Sequence, residues 1–279
     1  MTIEVDRDAL AANIAVFRGL VAPAARLMAV VKADAYGHGL LIASEAFLAG
    51  GADVLGVHSV AEAVRLRESG VGATILVLGP ADAREAARAS EHEVELTVSS
   101  LTALEAAASC GETLKIHLKV ETGVNRQGLV EPELVGALDL VEGADRLEIA
   151  GLSSHFADVE DTTDHVFAES QMARFDRYRD LLAARGHHPM VHMSCSAAAL
   201  LWERSHAGMA RVGISAYGVW PSKETRVSFR ERNRPEIELK PAVTWKVRVS
   251  QVRDVPAGET VGYGLSLIHI SEPTRPILV

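Results

Sequence analysis

Lys32 ends an apolar run, Leu27-Met28-Ala29-Val30-Val31, and opens the segment Lys32-Ala33-Asp34-Ala35-Tyr36-Gly37-His38-Gly39. At the end of a buried strand its amine would stand beside apolar walls, with two glycines allowing close backbone approach. Desolvation favours the neutral amine, the form that makes a Schiff base with a carbonyl group. The plainer reading is an exposed lysine at a strand end. Arg126 and Arg211 offer permanent donors of fixed geometry, suited to a carboxylate and to a ring nitrogen, and His155 could orient one of them. Ser196, Gly213 and Ile214 follow late strands, where a hydroxyl and backbone N–H groups can bind phosphate. Surface arginines, ordinary turns and a structural histidine are the competing accounts. His187, His188 and His192 invite a metal, but no carboxylate or thiol at ligand spacing completes a site, so no metal is expected.

These residues need a scaffold that brings them together. From residue 26 to about 218, short β-branched apolar runs alternate with longer Ala- and Glu-rich stretches of helical character. The strand candidates are 27–31, 54–57, 74–78, 94–98, 114–120, 147–152, 190–193 and 212–216. A helix is expected over 164–185, where Phe175, Tyr178 and Leu182 recur at helical spacing before a stop at Gly186, and its Met and Phe residues read as core. Eight β-α repeats in this length predict an α/β protein, a (β/α)8 TIM-type barrel with its chemistry at the C-terminal ends of the strands. After Pro235 the pattern changes to alternating segments at 243–249 and 261–264, joined by Pro/Gly turns. That implies an antiparallel β domain that has only begun. The division expected is 1–235 for the barrel, 236–265 for the start of the β domain, and 266–279 for a tail without periodicity.

The chain has 279 residues, 48% of them hydrophobic and 23% charged, with a net charge of −9. Disordered and fibrous classes are excluded by this composition. The acidic balance argues against nucleic acid, since the one basic cluster, 226–234, is interrupted by Glu231. No secretory signal opens the chain and no apolar run approaches the roughly 18 residues of a membrane span, so a cytoplasmic protein is expected. Cys110 and Cys195 are too few for a disulfide framework and too far apart for a CxxC pair, and Cys110 reads as a buried thiol.

Residues 31–39 resemble the pyridoxal-phosphate attachment signature of the alanine racemases. Residues 119–129, containing Lys119 and Arg126, are similar to that family's substrate-arginine segment, and 151–156, 192–199, 211–218 and 240–264 resemble further blocks in the same order. The resemblance covers nearly all of 1–265. It implies a barrel followed by a β domain, working as a head-to-tail homodimer that interconverts L- and D-alanine and supplies D-alanine for peptidoglycan. Lys32 would hold pyridoxal 5'-phosphate through a Schiff base. Tyr36, Ser196, Gly213 and Ile214 would bind its phosphate, and Arg211, supported by His155, would face the pyridine nitrogen. Arg126 would contact the substrate carboxylate, with Lys119, carbamylated in some members, positioning it. Lys32 and Tyr263, the latter reaching into the partner subunit's site, would be the two bases on opposite faces of the α-carbon.

Three departures qualify the resemblance. Cys195 stands where the family commonly has Asn, which alters one polar contact to the cofactor, while Glu121 and Val124 replace the usual Asp and Met. Residues 266–279 depart altogether and look like a translated adapter sequence, so a truncated reading frame is expected, with impaired dimerisation and activity. The alternatives are a racemase of another amino acid or a related decarboxylase on the same fold, and a catalytically silent pyridoxal-phosphate-binding barrel.

Overall fold

The computed structural model describes residues 1–232, 235–256 and 258–263, so the expectations for 264–279 lie outside the described residues. Among the described residues ten strands occur, in chain order β1 (Thr2–Val5), β2 (Arg26–Val30), β3 (Val54–Val57), β4 (Thr74–Val77), β5 (Glu95–Val98), β6 (Leu114–Lys119), β7 (Leu147–Ser153), β8 (Met190–His192), β9 (Met209–Val212) and β10 (Val243–Lys246). Strands β2 to β9 form one parallel sheet of eight, in the order β8-β7-β6-β5-β4-β3-β2-β9. Its two ends meet: β8 packs on β9, and Gly208 N, just before β9, donates to Val191 O at 3.0 Å. The sheet therefore curls into the expected (β/α)8 barrel, with helices between successive strands.

The eighth barrel strand corrects the sequence expectation of 212–216. It runs over Met209–Val212, and Ile214–Tyr217 is a 3-10 turn. Gly213 ends the strand, and the start at Met209-Ala210 carries no β-branched residue to announce it. The helix expected over 164–185 spans Val166–Ala184, with Phe175 and Leu182 buried. Not all of its apolar residues are core. Phe167 is 46% exposed and lies over the backbone of Gly123, where a β carbon would come within 2.8 Å of its ring, and Met172 is half-buried. Cys110 likewise is half-buried rather than buried, its Sγ donating to Glu112 O at 3.6 Å.

The helices begin where side chains can cap them. Asp6 accepts from Ala9 N at 2.9 Å to start Arg7–Leu20, whose Leu10, Ile14 and Phe17 face the barrel wall. Ser59 and Glu62 form a capping box on Val60–Glu68, as do Asp82 and Glu85 on Ala83–Glu91. β3 is apolar throughout, and β4 is so after Thr74, because helices cover one face while the lumen takes the other.

Two apolar clusters result. The larger lies between strands and helices, and the smaller, Met28, Val30, Val54, Leu76 and Met209, fills part of the lumen. Val5–Ala242 makes one compact unit, in which buried Asn13 ties in the returning chain by bonding Lys240 O at 2.9 Å and Ala216 O at 3.2 Å. The second unit comprises Met1–Glu4 and the chain from Val243, where β1 pairs with β10 and Lys246 Nζ meets Glu4 at 2.7 Å. Among the described residues no helix is long and apolar enough to cross a membrane.

Candidate active site

Side chains alternate faces along a strand, and in this barrel every second residue points to the lumen. On β2 that series is Met28, Val30 and then Lys32; on β6, His117 and Lys119; on β8, Met190, His192 and then Ser194; on β9, Met209, Arg211 and then Gly213. Their C-terminal members surround a cavity of about 600 Å³. Lys32, Tyr36, Lys119, Arg126, His155, Ser196, Arg211, Gly213 and Ile214 all line it, so nine of the ten residues singled out in the sequence come together. Tyr263 belongs to the other unit and is fully exposed.

Arg211 is the most tightly held of them. Its NH1 donates to His192 Nδ1 at 2.6 Å and His192 O at 2.8 Å, and its NH2 to Ser154 O at 2.6 Å, Met193 O at 3.2 Å and His155 Nδ1 at 3.2 Å. Burial lowers the guanidinium to about 10, still cationic at neutral pH. Because arginine only donates, both imidazole nitrogens facing it must be unprotonated acceptors. His155 is held to about 3 by burial and then by the charges of Arg211, Lys119, Arg126 and Lys32. It is therefore neutral across the physiological range.

Lys119 shares the same field. Burial, then Arg126 and Arg211, push its amine down to about 8 against the opposing pull of Glu121. Glu121 has a second task. It accepts Gly123 N at 2.5 Å, and although burial raises it, the N–H groups of Asn125, Gly123, Arg126 and Val124 hold it below the usual carboxylate range. One carboxylate thus shapes the loop that presents exposed Arg126 at the cavity mouth.

The segment after Lys32 turns in the unusual sense. Ala33, Asp34, Ala35 and Tyr36 have φ of 54°, 52°, 56° and 53°, a left-handed turn that ends in Gly37 at 85°. Each non-glycine residue there costs roughly 1–2 kcal/mol. Its entry is held by Glu62, whose Oε1 accepts Ala33 N at 2.8 Å while Oε2 accepts His58 N at 2.7 Å. The turn brings the Tyr36 phenol over Gly213, where a β carbon would come within 2.8 Å of its oxygen. Gly213 N also donates to Ser196 Oγ at 3.0 Å, leaving the Ser196 proton free to point elsewhere.

The sequence singled out neither Ser154 nor His117, and treated His192 only as a candidate metal ligand. Strand alternation was the available signal: His192 lies two residues beyond Met190, and His117 two before Lys119. Cys195 is buried in the lining, and burial raises its thiol to about 12, so it offers an uncharged and weak polar contact. Thr97 Oγ1 is buried in the lining with no partner among the described residues. Chemically, four cations and one carboxylate, Glu160, face a volume suited to a small molecule, which favours a ligand with several negative charges.

Comparison with known proteins gives concordant matches. The sequence family "Alanine racemase, N-terminal domain" matches residues 5–221. An alanine racemase of Desulfosudis oleivorans is 38% identical over 94% of this chain and 68% of its own length. One of Mycolicibacterium vanbaalenii is 40% identical over 94% of this chain and 67% of its own. The solved structure of alanine racemase from Bacillus anthracis with bound L-Ala-P superposes with a TM-score of 0.85 at 32% identity, covering 95% of this chain and 68% of that one.

Proposed function

The chain belongs to the alanine racemase family, isomerases that interconvert L- and D-alanine, and from that premise we propose that its cavity binds pyridoxal 5'-phosphate and alanine for this reaction. The observation that carries the reading is the convergence of Lys32, Lys119, Arg126 and Arg211 on one cavity with a single opposing carboxylate. The donor set fits the cofactor: a lysine for its aldehyde, a hydroxyl and backbone N–H groups for its phosphate, a buried guanidinium for its ring. The absent β carbon of Gly213 lets the Tyr36 hydroxyl come close to the Gly213 backbone, which places the phenol beside the N–H groups proposed for the phosphate.

When bound, the cofactor supplies the electron sink that makes the α-proton of alanine removable. The protein's share is binding, orientation and proton handling. Ser196, Tyr36 and the N–H groups of Gly213 and Ile214 hold the phosphate. Arg126 clamps the substrate carboxylate, fixing the α-carbon between two bases. Lys32 Nζ takes or returns a proton on one face, and Tyr263 of the partner subunit does so on the other. Arg211 stays cationic beside the ring nitrogen and disfavours its protonation, since two positive charges in a buried site repel. That restraint limits side reactions which depend on a fully charged ring. Lys119, with its amine lowered to about 8, has enough neutral form to add to CO2 and, on losing an N–H proton to solvent, to become a carbamate, an anion that would then hold Arg126 in place.

On the same reading, the unit Val5–Ala242 is the cofactor-binding barrel, and the chain from Val243 opens the β domain that completes the neighbouring site in a homodimer. The product would serve peptidoglycan synthesis in the cytoplasm.

The test is to load the full chain with pyridoxal phosphate and follow the α-proton of each alanine enantiomer by NMR in heavy water. Exchange with inversion is expected, together with a borohydride-fixed adduct on Lys32 in the peptide map. An adduct elsewhere, or no adduct at all, would sink the assignment.

A further inference from the structure

We propose that Glu95 is a positioning residue for Arg211, acting through His117 and His192 as a line of hydrogen bonds that fixes the tautomer of both imidazoles. The proposal rests on the reading that places Arg211 at the cofactor's ring nitrogen. Three contacts make the line: Arg211 NH1 to His192 Nδ1 at 2.6 Å, His192 Nε2 to His117 Nδ1 at 2.8 Å, and His117 Nε2 to Glu95 Oε2 at 2.8 Å.

Its polarity follows from the two ends. Arginine has no acceptor, so His192 Nδ1 must accept and its proton sits on Nε2. That N–H occupies His117 Nδ1, which leaves the His117 proton on Nε2, pointing at a carboxylate that only accepts. Every donor points away from the cavity. His192 cannot add a second proton without setting N–H against N–H, and burial, then Arg211 and His117, also hold it well below its ordinary value. Burial would raise Glu95, but the hydrogen bond from His117 and the charges of Lys115 and Arg26 keep it below the usual carboxylate range.

The line is built into the barrel rather than placed by chance. His117 is fully buried and His192 is 1% exposed, and both occupy lumen positions. Opposite His117 on β7 stands Gly151, where the ladder shifts register, and a β carbon there would lie 2.0 Å from His117 Nδ1. Any other residue at 151 would evict the imidazole. The missing side chain is thus the space the line runs through.

Remove the acceptor at residue 95 and the His117 Nε2–H is left buried without a partner, so the alternative tautomer, with its proton on Nδ1, competes with the order that Arg211 imposes from the other end. That proton would force the His192 proton onto Nδ1, directly against the Arg211 donor. The guanidinium would then lose one of its five contacts and the orientation they impose.

The full chain labelled with [15N]histidine reports this directly in two-bond nitrogen–proton spectra recorded without cofactor. His117 and His192 are expected as neutral Nε2–H forms. Glu95→Ala should mix the tautomers of His117, as should Gly151→Ala, whereas Glu95→Gln, which keeps an acceptor, should retain them. With pyridoxal phosphate and alanine, Glu95→Ala should lower kcat about tenfold with KM changed by less than about threefold, and Glu95→Gln should recover most of the loss. A proton on Nδ1 of either ring in the unsubstituted chain overturns the proposal. So does a Glu95→Ala protein that keeps both tautomers, or that loses them at unchanged kcat. Should Glu95→Ala fail to fold, the unsubstituted spectrum and Gly151→Ala carry the same decision. Because the spectra need no turnover, a chain that racemised nothing would fail the functional reading and leave the tautomer result standing.

Discussion

Gly213 N donates to Ser196 Oγ at 3.0 Å, joining the segment after β8 to the segment after β9 at the seam where the barrel closes. The contact turns a hydroxyl outward at the position proposed for the cofactor phosphate. Ser196→Ala removes both the seam contact and one phosphate donor. Absorbance titration should show pyridoxal phosphate binding weakened about tenfold, the worth of one charge-assisted hydrogen bond. Unchanged affinity would mean the phosphate sits elsewhere.

Arg211 satisfies three backbone carbonyls and two imidazole nitrogens at once. Arg211→Leu removes the guanidinium from all five in a buried place, with only His192 O keeping another donor, Ser154 N at 3.3 Å. We expect urea unfolding to report a loss of about 3 kcal/mol, because stranded buried acceptors cost more than the bonds themselves contribute. A loss below about 1 kcal/mol would show that water replaces the guanidinium freely.

Lys119 gives a pH dependence with a definite sign. Its ordinary value of 10.5 falls to about 8 in the folded protein, so between these values the unfolded chain holds a proton that the native one has released. Stability conferred by this group therefore rises with pH from about 8 to 10.5 and is flat below 8. In protein free of cofactor, the difference between the parent chain and Lys119→Gln, measured by urea unfolding at several pH values, should carry that slope. A difference independent of pH across the window would contradict it.

How much of this was legible beforehand varied with the range of the interactions involved. Strands such as Val54–Val57 and Thr74–Val77 announce themselves through β-branched runs, and seven of the nine site residues could be named from their places beside such runs, while Tyr36 and Lys119 entered only with the resemblance. The pairing of Thr2–Val5 with Val243–Lys246 joins opposite ends of the sequence, and four residues of local pattern cannot specify a partner so distant. The left-handed turn was hidden for another reason. Ala-Asp-Ala-Tyr favours the ordinary helical hand, and only the surroundings, Glu62 at its entry and Gly37 at its exit, impose the other.

That imposed turn offers a stability test. Ala33 is exposed and sits at φ 54°. Ala33→Gly relieves the left-handed penalty but gives the unfolded chain more freedom, so a net gain of about 0.5–1 kcal/mol is expected from urea midpoints. A net loss would show that the Ala33 methyl group makes contacts worth more than the strain.

The lumen itself is divided. On one side lie Met28, Val54, Leu76 and Met209; on the other run Glu95, His117 and His192 up to Arg211. An apolar packing problem has many solutions, because methylenes can be traded between neighbours at nearly constant volume. A directed chain of protons has almost none. Sequence drift in this barrel should accordingly be lopsided, with β2, β3 and β4 exchanging one aliphatic residue for another while β5, β6 and β8 hold their lumen letters fixed, as though half the barrel were upholstery and the other half wiring.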